Sequence, residues 1–146
     1  MYRAYAREAP VPQPLAFSHR THSGENAIPC LYCHAYARLG PAAGVPSVER
    51  CVGCHITAAK DHVDVVKLME HWEKKEPIRW VRVHHLPEYV RFNHKRHVVA
   101  GVQCQVCHGE VQRMDAAVQV SDMTMGWCLS CHEERGASID CLTCHY

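Results

Sequence analysis

The sequence predicts a small chain of loops and short α-helices with little β-structure, built as two related halves. Three observations predict it. Ten cysteines in 146 residues fall into five pairs of identical spacing, each followed at once by a histidine. A second pattern, F-x-H-x-x-H, occurs twice, about half the chain apart. Only one stretch carries the apolar periodicity of a regular, self-supporting helix.

The cysteine pairs are Cys30/Cys33, Cys51/Cys54, Cys104/Cys107, Cys128/Cys131 and Cys141/Cys144, followed by His34, His55, His108, His132 and His145. A zinc site needs paired thiolates but makes no demand on the next residue. A disulfide framework needs an even count but does not favour a fixed gap of two. Covalent haem attachment needs the whole C-x-x-C-H unit: two thiols for the vinyl groups and the adjacent imidazole for the iron. With 13 histidines in the chain, five chance coincidences have a probability on the order of 10⁻⁵. The five units point to five covalently attached haem c groups.

One haem per about 29 residues changes what a core must be. A chain of this length normally closes around apolar side chains. Here five flat macrocycles would fill most of the interior, so regular secondary structure becomes optional.

The duplicated pattern sets the organisation. Phe17, His19 and His22 precede Cys30, and Phe92, His94 and His97 precede Cys104. The offsets are 75 from His19 to His94, 74 from Cys30 to Cys104 and 77 from Cys51 to Cys128. We read one domain over 1–146. Its first half, 14–56, holds two haem motifs, a helical connector spans 57–88, and the second half, 89–146, holds three. In the connector, Asp61 is the expected cap and Asp64 suits the first turn. Val65, Leu68, Met69 and Trp72 form the apolar stripe, and Pro77 ends the segment. Residues 40–47, GPAAGVPS, read as a loop.

Each motif histidine leaves one axial position on its iron. The remaining eight histidines are His19, His22, His62, His71, His84, His85, His94 and His97. The repeated pairs His19/His22 and His94/His97 are the best candidates, because two imidazoles three residues apart could reach two neighbouring irons from one helical turn. His84 comes next, ahead of His85. His62 and His71 are expected to face solvent from the helix. Met123 and Met125 are fallback ligands, with packing the commoner role for methionine.

Charge does not identify a partner. The formal net charge is +1, from 16 Lys+Arg against 15 Asp+Glu, and no basic run suggests nucleic acid. Arg91, Lys95 and Arg96 suit either haem propionates or a solvated face. C-type haem is attached outside the cytoplasm, yet the opening residues MYRAYAREAPVPQP contain no apolar stretch suited to a signal peptide or anchor. The expectation is therefore a periplasmic location, with a leader, anchor or partner subunits supplying export and membrane association.

F-x-H-x-x-H before C-x-x-C-H resembles the class III multihaem cytochromes c. The segments PLAFSHRTHSG, IPCLYCH, AGVPS, WVRVHHLPEYVRFNHKRHV, GVQCQVCHGEV and MGWCLSCH are similar to one family in particular. That family is the pentahaem cytochrome subunit of alternative complex III, a bacterial menaquinol-oxidising membrane complex. The resemblance implies the distal ligand set His19, His22, His84, His94 and His97. By analogy with class III cytochromes, it pairs His19 with His34 and His94 with His108. Family members usually carry an N-terminal membrane helix, from which these residues depart.

The resemblance implies an electron-carrying subunit with no bond-breaking residue. Its electrons would come from an iron–sulfur subunit of a membrane-bound quinol-oxidising complex and go to a monohaem cytochrome or other periplasmic acceptor. The alternative is a free periplasmic shuttle or an extracellular cytochrome filament subunit. A multihaem enzyme reducing nitrogen or sulfur compounds is disfavoured, since no motif replaces its histidine by lysine.

Overall fold

A computed structural model describes residues 9–146. The chain runs through six short α-helices, three 3₁₀ turns and one π-helical turn, with no strand among the described residues. The helices are α1 (Cys30–Cys33), α2 (Val48–His55), α3 (Val63–Lys74), α4 (His94–Val99), α5 (Cys104–His108) and α6 (Met125–Glu134). The first eight residues, part of the opening stretch that lacks a signal-like apolar run, lie outside the described residues.

Every C-x-x-C unit sits on a helical turn: α1, α2, α5, α6 and the 3₁₀ turn Cys141–Thr143. The physical reason is spacing. Positions i, i+3 and i+4 of a helix share one face, so both thiols and the histidine address the same side. The turns are entered from extended residues, Pro29, Ser47, Gln103, Thr124 and Asp140. Two of these entries are capped, Trp127 N donating to Thr124 Oγ1 and Leu142 N to Asp140 Oδ1.

The connector helix forms as α3, but its cap differs from the expectation. His62, not Asp61, occupies the cap and accepts from Asp64 N through Nδ1 at 3.3 Å. The turn over 56–60 runs on past Asp61, which places His62 at the extended entry. The stripe is used in part: Val65 and Leu68 are buried where α3 packs on α2, while Trp72 stays 43% exposed. Lys75 ends the helix in a left-handed conformation, φ 56°. Residues 40–47 form the expected loop.

Residues 14–56 and 89–146 hold each other reciprocally. Arg20 N donates to Met114 O at 2.9 Å, and Lys95 N to Gly40 O at 3.1 Å. These four residues match in the repeat, at offsets of 75 and 74. The π-helical turn Arg20–Glu25 therefore packs on the turn after the third haem motif, and α4 packs on the turn after the first. Gly24 is required there, since a Cβ would run into the Gln112 carbonyl oxygen. Arg20 also pairs with Asp115, which accepts from Ser18 Oγ as well.

Among the described residues the buried apolar ones are few: Leu15, Ala37, Val52, Val65 and Leu68. Tyr32, Tyr36, Leu39, Val106 and Leu142 are exposed. Five such residues are too small a core to hold a chain of this length by themselves.

Candidate haem-binding site

None of the ten cysteines is paired in a disulfide, and each is half-buried or exposed. Burial, the largest cause, raises the thiol pKa of Cys33, Cys51, Cys104, Cys107 and Cys128, and neighbouring thiols add to it. Those neighbours give an order in space. Cys33 adjoins Cys54 and Cys51 adjoins Cys33; Cys104 adjoins Cys30; Cys107 adjoins Cys128 and Cys131; Cys128 adjoins Cys144. Arg50 also stacks over the Tyr32 ring, 4.9 Å from its centre, beside the first two motifs. The motifs therefore follow one another as 51–55, 30–34, 104–108, 128–132 and 141–145, not in chain order.

The histidines pair at a spacing set by coordination chemistry. Two imidazoles sharing one metal, with metal–nitrogen bonds of about 2.0 Å, have ring centres about 6 Å apart. His22 and His55 lie 5.8 Å apart, His97 and His132 6.0 Å, and His94 and His108 6.3 Å with planes 7° apart. His19 lies close to both His34 and His22: burial first, then these two, lowers its pKa to about 4. Burial, followed by His84, His94 and His34, does the same to His108, also to about 4. Both imidazoles are thus held neutral, the form whose lone pair can bind a metal.

The phenylalanine of F-x-H-x-x-H orients both histidines. Phe17 stands edge-on to His19, ring centres 4.9 Å apart, and stacks on His22 at 4.3 Å. Phe92 does the same for His94, at 4.7 Å, and His97, at 4.6 Å. Backbone carbonyls then fix the rings by hydrogen bonds to Nδ1: His22 to Ser18 O, His97 to Asn93 O and His94 to Pro41 O. Among the motif histidines, His34 bonds Gly44 O, His55 Ala58 O, His132 Ser138 O and His145 Tyr89 O. Each of these bonds leaves Nε2 free to bind a metal.

Other candidates are placed differently. His84 Nε2 is 3.1 Å from His108 Nδ1. His85 bonds the Arg82 carbonyl. His62 is the exposed helix cap. His71 is half-buried rather than solvent-facing, with an unpartnered Nδ1, and lines a cleft of about 360 Å³ with Pro14, Glu76, Pro77 and Arg79. Met125 is 62% exposed at the start of α6. Sequence reasoning missed Gln119, 1% exposed, and Tyr89, 5.8 Å from the His145 ring. Neither belongs to a repeated motif, so no spacing signal marked them.

Thiol pairs sharing a face with an imidazole, and second imidazoles at metal-sharing distance, fit haem c. Among the described residues no three His, Cys, Asp or Glu side chains converge as a bare metal ion requires.

Comparison with known proteins agrees with this chemistry. Residues 90–146 match the family described as cytochrome c7 and related cytochrome c. The chain is also similar to the "Menaquinone reductase, multiheme cytochrome c subunit" of Nitratidesulfovibrio vulgaris (strain Hildenborough). The two are 25% identical over 160 residues, covering 91% of this chain and 76% of that protein. Motif, geometry and likeness together support a multihaem c-type cytochrome that binds haem and serves electron transport.

Proposed function

We propose that the chain is a pentahaem electron-carrying subunit of a membrane-bound quinone oxidoreductase complex, of the alternative complex III type. The observation that carries this is the unbroken run of neighbouring motifs, with paired imidazoles at metal-sharing distance. The likeness to a multihaem subunit of a menaquinone reductase supports the partner class. In this reading the sites line up as 51–55, 30–34, 104–108, 128–132 and 141–145. The wire's two ends meet an iron–sulfur subunit and a periplasmic acceptor, a monohaem cytochrome among the candidates.

The chain's own residues have defined tasks. Ten thiols tether the macrocycles, and His34, His55, His108, His132 and His145 ligate from the motif side. His19 and His94 ligate opposite their own motifs' histidines, His34 and His108. His22 and His97 reach one motif further, to His55 and His132. Bound haem iron supplies reversible one-electron exchange, and histidine on both sides keeps rearrangement small. Because tunnelling falls exponentially with distance, adjacency of the motifs is the functional requirement. The mirrored contacts of Arg20 and Lys95 support duplication of one two-haem unit, with the motif at 141–145 added to the second copy. Covalent haem attachment, a reaction carried out outside the cytoplasm, supports a position on the extracytoplasmic side.

The test is affinity purification of the native protein from membranes, with partners identified by mass. An iron–sulfur subunit and polytopic membrane subunits are expected. Recovery of the chain alone from the soluble fraction would instead favour a free shuttle.

A further inference from the structure

Four motif histidines turn Nδ1 to a main-chain carbonyl, and His108 alone turns it to another imidazole, His84 Nε2 at 3.1 Å. A histidine that binds metal through Nε2 while neutral carries its proton on Nδ1, so His108 donates and His84 accepts. That bond uses the single lone pair of a neutral His84, whose other nitrogen bears the proton. His84 then has none left for an iron.

The contact is built into the fold. His85 N donates to Gln119 Oε1 at 3.0 Å, Gln119 Nε2 to Ser121 O at 3.2 Å, and Ser121 Oγ to Cys107 O at 2.8 Å. Gln119 is the most deeply buried polar residue described, 1% exposed. Gly109, at φ 68°, lets Val120 close over the same turn, where a Cβ would sit 2.8 Å from Val120 Cγ2. The 84–85 segment is thus strapped to the third haem motif through a buried amide. The ring centres of His84 and His108 lie 4.4 Å apart and their planes cross at 79°, too close for a shared metal.

We propose that His84 is a positioning residue for the haem of Cys104 and Cys107, not the iron ligand that the family resemblance implies. The proposal rests on the haem reading above. By accepting the Nδ1 hydrogen bond, His84 fixes the His108 ring plane and makes His108 a more basic ligand. An imidazole nitrogen is more basic than a carbonyl oxygen, so this haem is set to a lower potential than a carbonyl partner would give.

The experiment uses the full haem-loaded chain and its His84→Ala and His84→Gln variants. Electron paramagnetic resonance and a potentiometric titration are recorded for each. The expected result is a spin-state distribution identical to that of the unsubstituted protein, with one of five potentials moved upward. His84→Gln should shift it less, because its Oε1 can still accept. Gln119→Ala, which loosens the strap without touching the imidazoles, should move the same potential in the same direction. Conversion of one fifth of the iron to high spin in His84→Ala would make His84 a ligand and overturn the proposal. Unmoved potentials in all three variants would overturn it too. Absence of covalent haem from the unsubstituted protein would be a failure of the haem reading itself, visible by intact mass before any variant is made.

Discussion

His94 and His108 face each other across 6.3 Å with ring planes 7° apart, although 14 positions separate them in the chain. Near-parallel imidazoles at this spacing suit two ligands of one iron. His94 is carried on α4, pinned by its own N–H and Nδ1 to the Pro41 carbonyl of the other half. The first prediction follows: His94→Ala converts one haem from low to high spin while all haems stay attached. Electron paramagnetic resonance with intact mass checks it, and an unchanged spectrum would remove His94 from the ligand set.

His22 and His97 reach different motifs from their neighbours His19 and His94. Single variants His94→Ala and His97→Ala should therefore each convert one haem. The double variant should convert two, with the high-spin signals adding. A double variant no larger than either single one would mean that both histidines serve a single iron.

Phe17 and Phe92 each hold two imidazoles by ring contact. Aromatic pairs of this kind contribute about 0.5–1.5 kcal/mol each beyond area burial. Phe92→Leu should accordingly lower stability by about 1–3 kcal/mol, read as a urea midpoint of the loaded protein. The low-spin g-values of the haems served by His94 and His97 should shift as their rings gain freedom. Unchanged stability and g-values would reduce Phe92 to a spacer.

Gly24 and Gly40 provide a contrast between two glycines of the half–half contact. A Cβ on Gly24 meets the Gln112 carbonyl, which cannot move without breaking the contact, whereas Gly40 has open space around it. Gly24→Ala should cost about 1–3 kcal/mol and Gly40→Ala close to nothing. By comparison, Asp115→Ala removes only an exposed ion pair and one hydrogen bond, worth about 1 kcal/mol or less. Thermal denaturation of the three variants ranks them, and equal effects would deny the close approach at Gly24.

Asp64 carries a pH dependence of known sign. The Ala16 N–H that donates to it, with Lys67 beside it, holds its pKa below the usual carboxylate value. A depressed folded pKa contributes stability that is present above the unfolded value, near about 3.9, and is lost as pH falls through the folded one. Asp64→Asn should be less stable than the parent near pH 7, with the gap closing toward about pH 3. A gap that widens on acidification would reverse the assignment.

How much was legible in the sequence depended on whether the determinant was local. C-x-x-C-H carries its thiols and histidine in its own spacing, so the attachment units could be read directly, whereas the helical turns that carry them came from the structure. The absence of strand among the described residues agrees with the little sheet expected of a chain wrapped around five macrocycles. The cap of α3 was misplaced by one residue, since His62 could take a role that Asp61 was better suited to by propensity. The spatial order of the motifs was not legible, because it depends on Arg20 meeting Met114 and Lys95 meeting Gly40 across about 55 to 95 positions of chain. His84 was legible as a candidate ligand, but its contact with His108 was not legible. Its place beside His108 is set by Gln119 and Ser121, which no motif contains.

Everything rests on covalent haem at all five motifs. Intact-mass spectrometry of the purified protein under denaturing conditions measures this directly, since thioether-bound haem survives unfolding. The account predicts a mass excess of five haems on a chain with no free thiol. An excess of fewer than five, or ten titratable thiols with bound zinc, would contradict it.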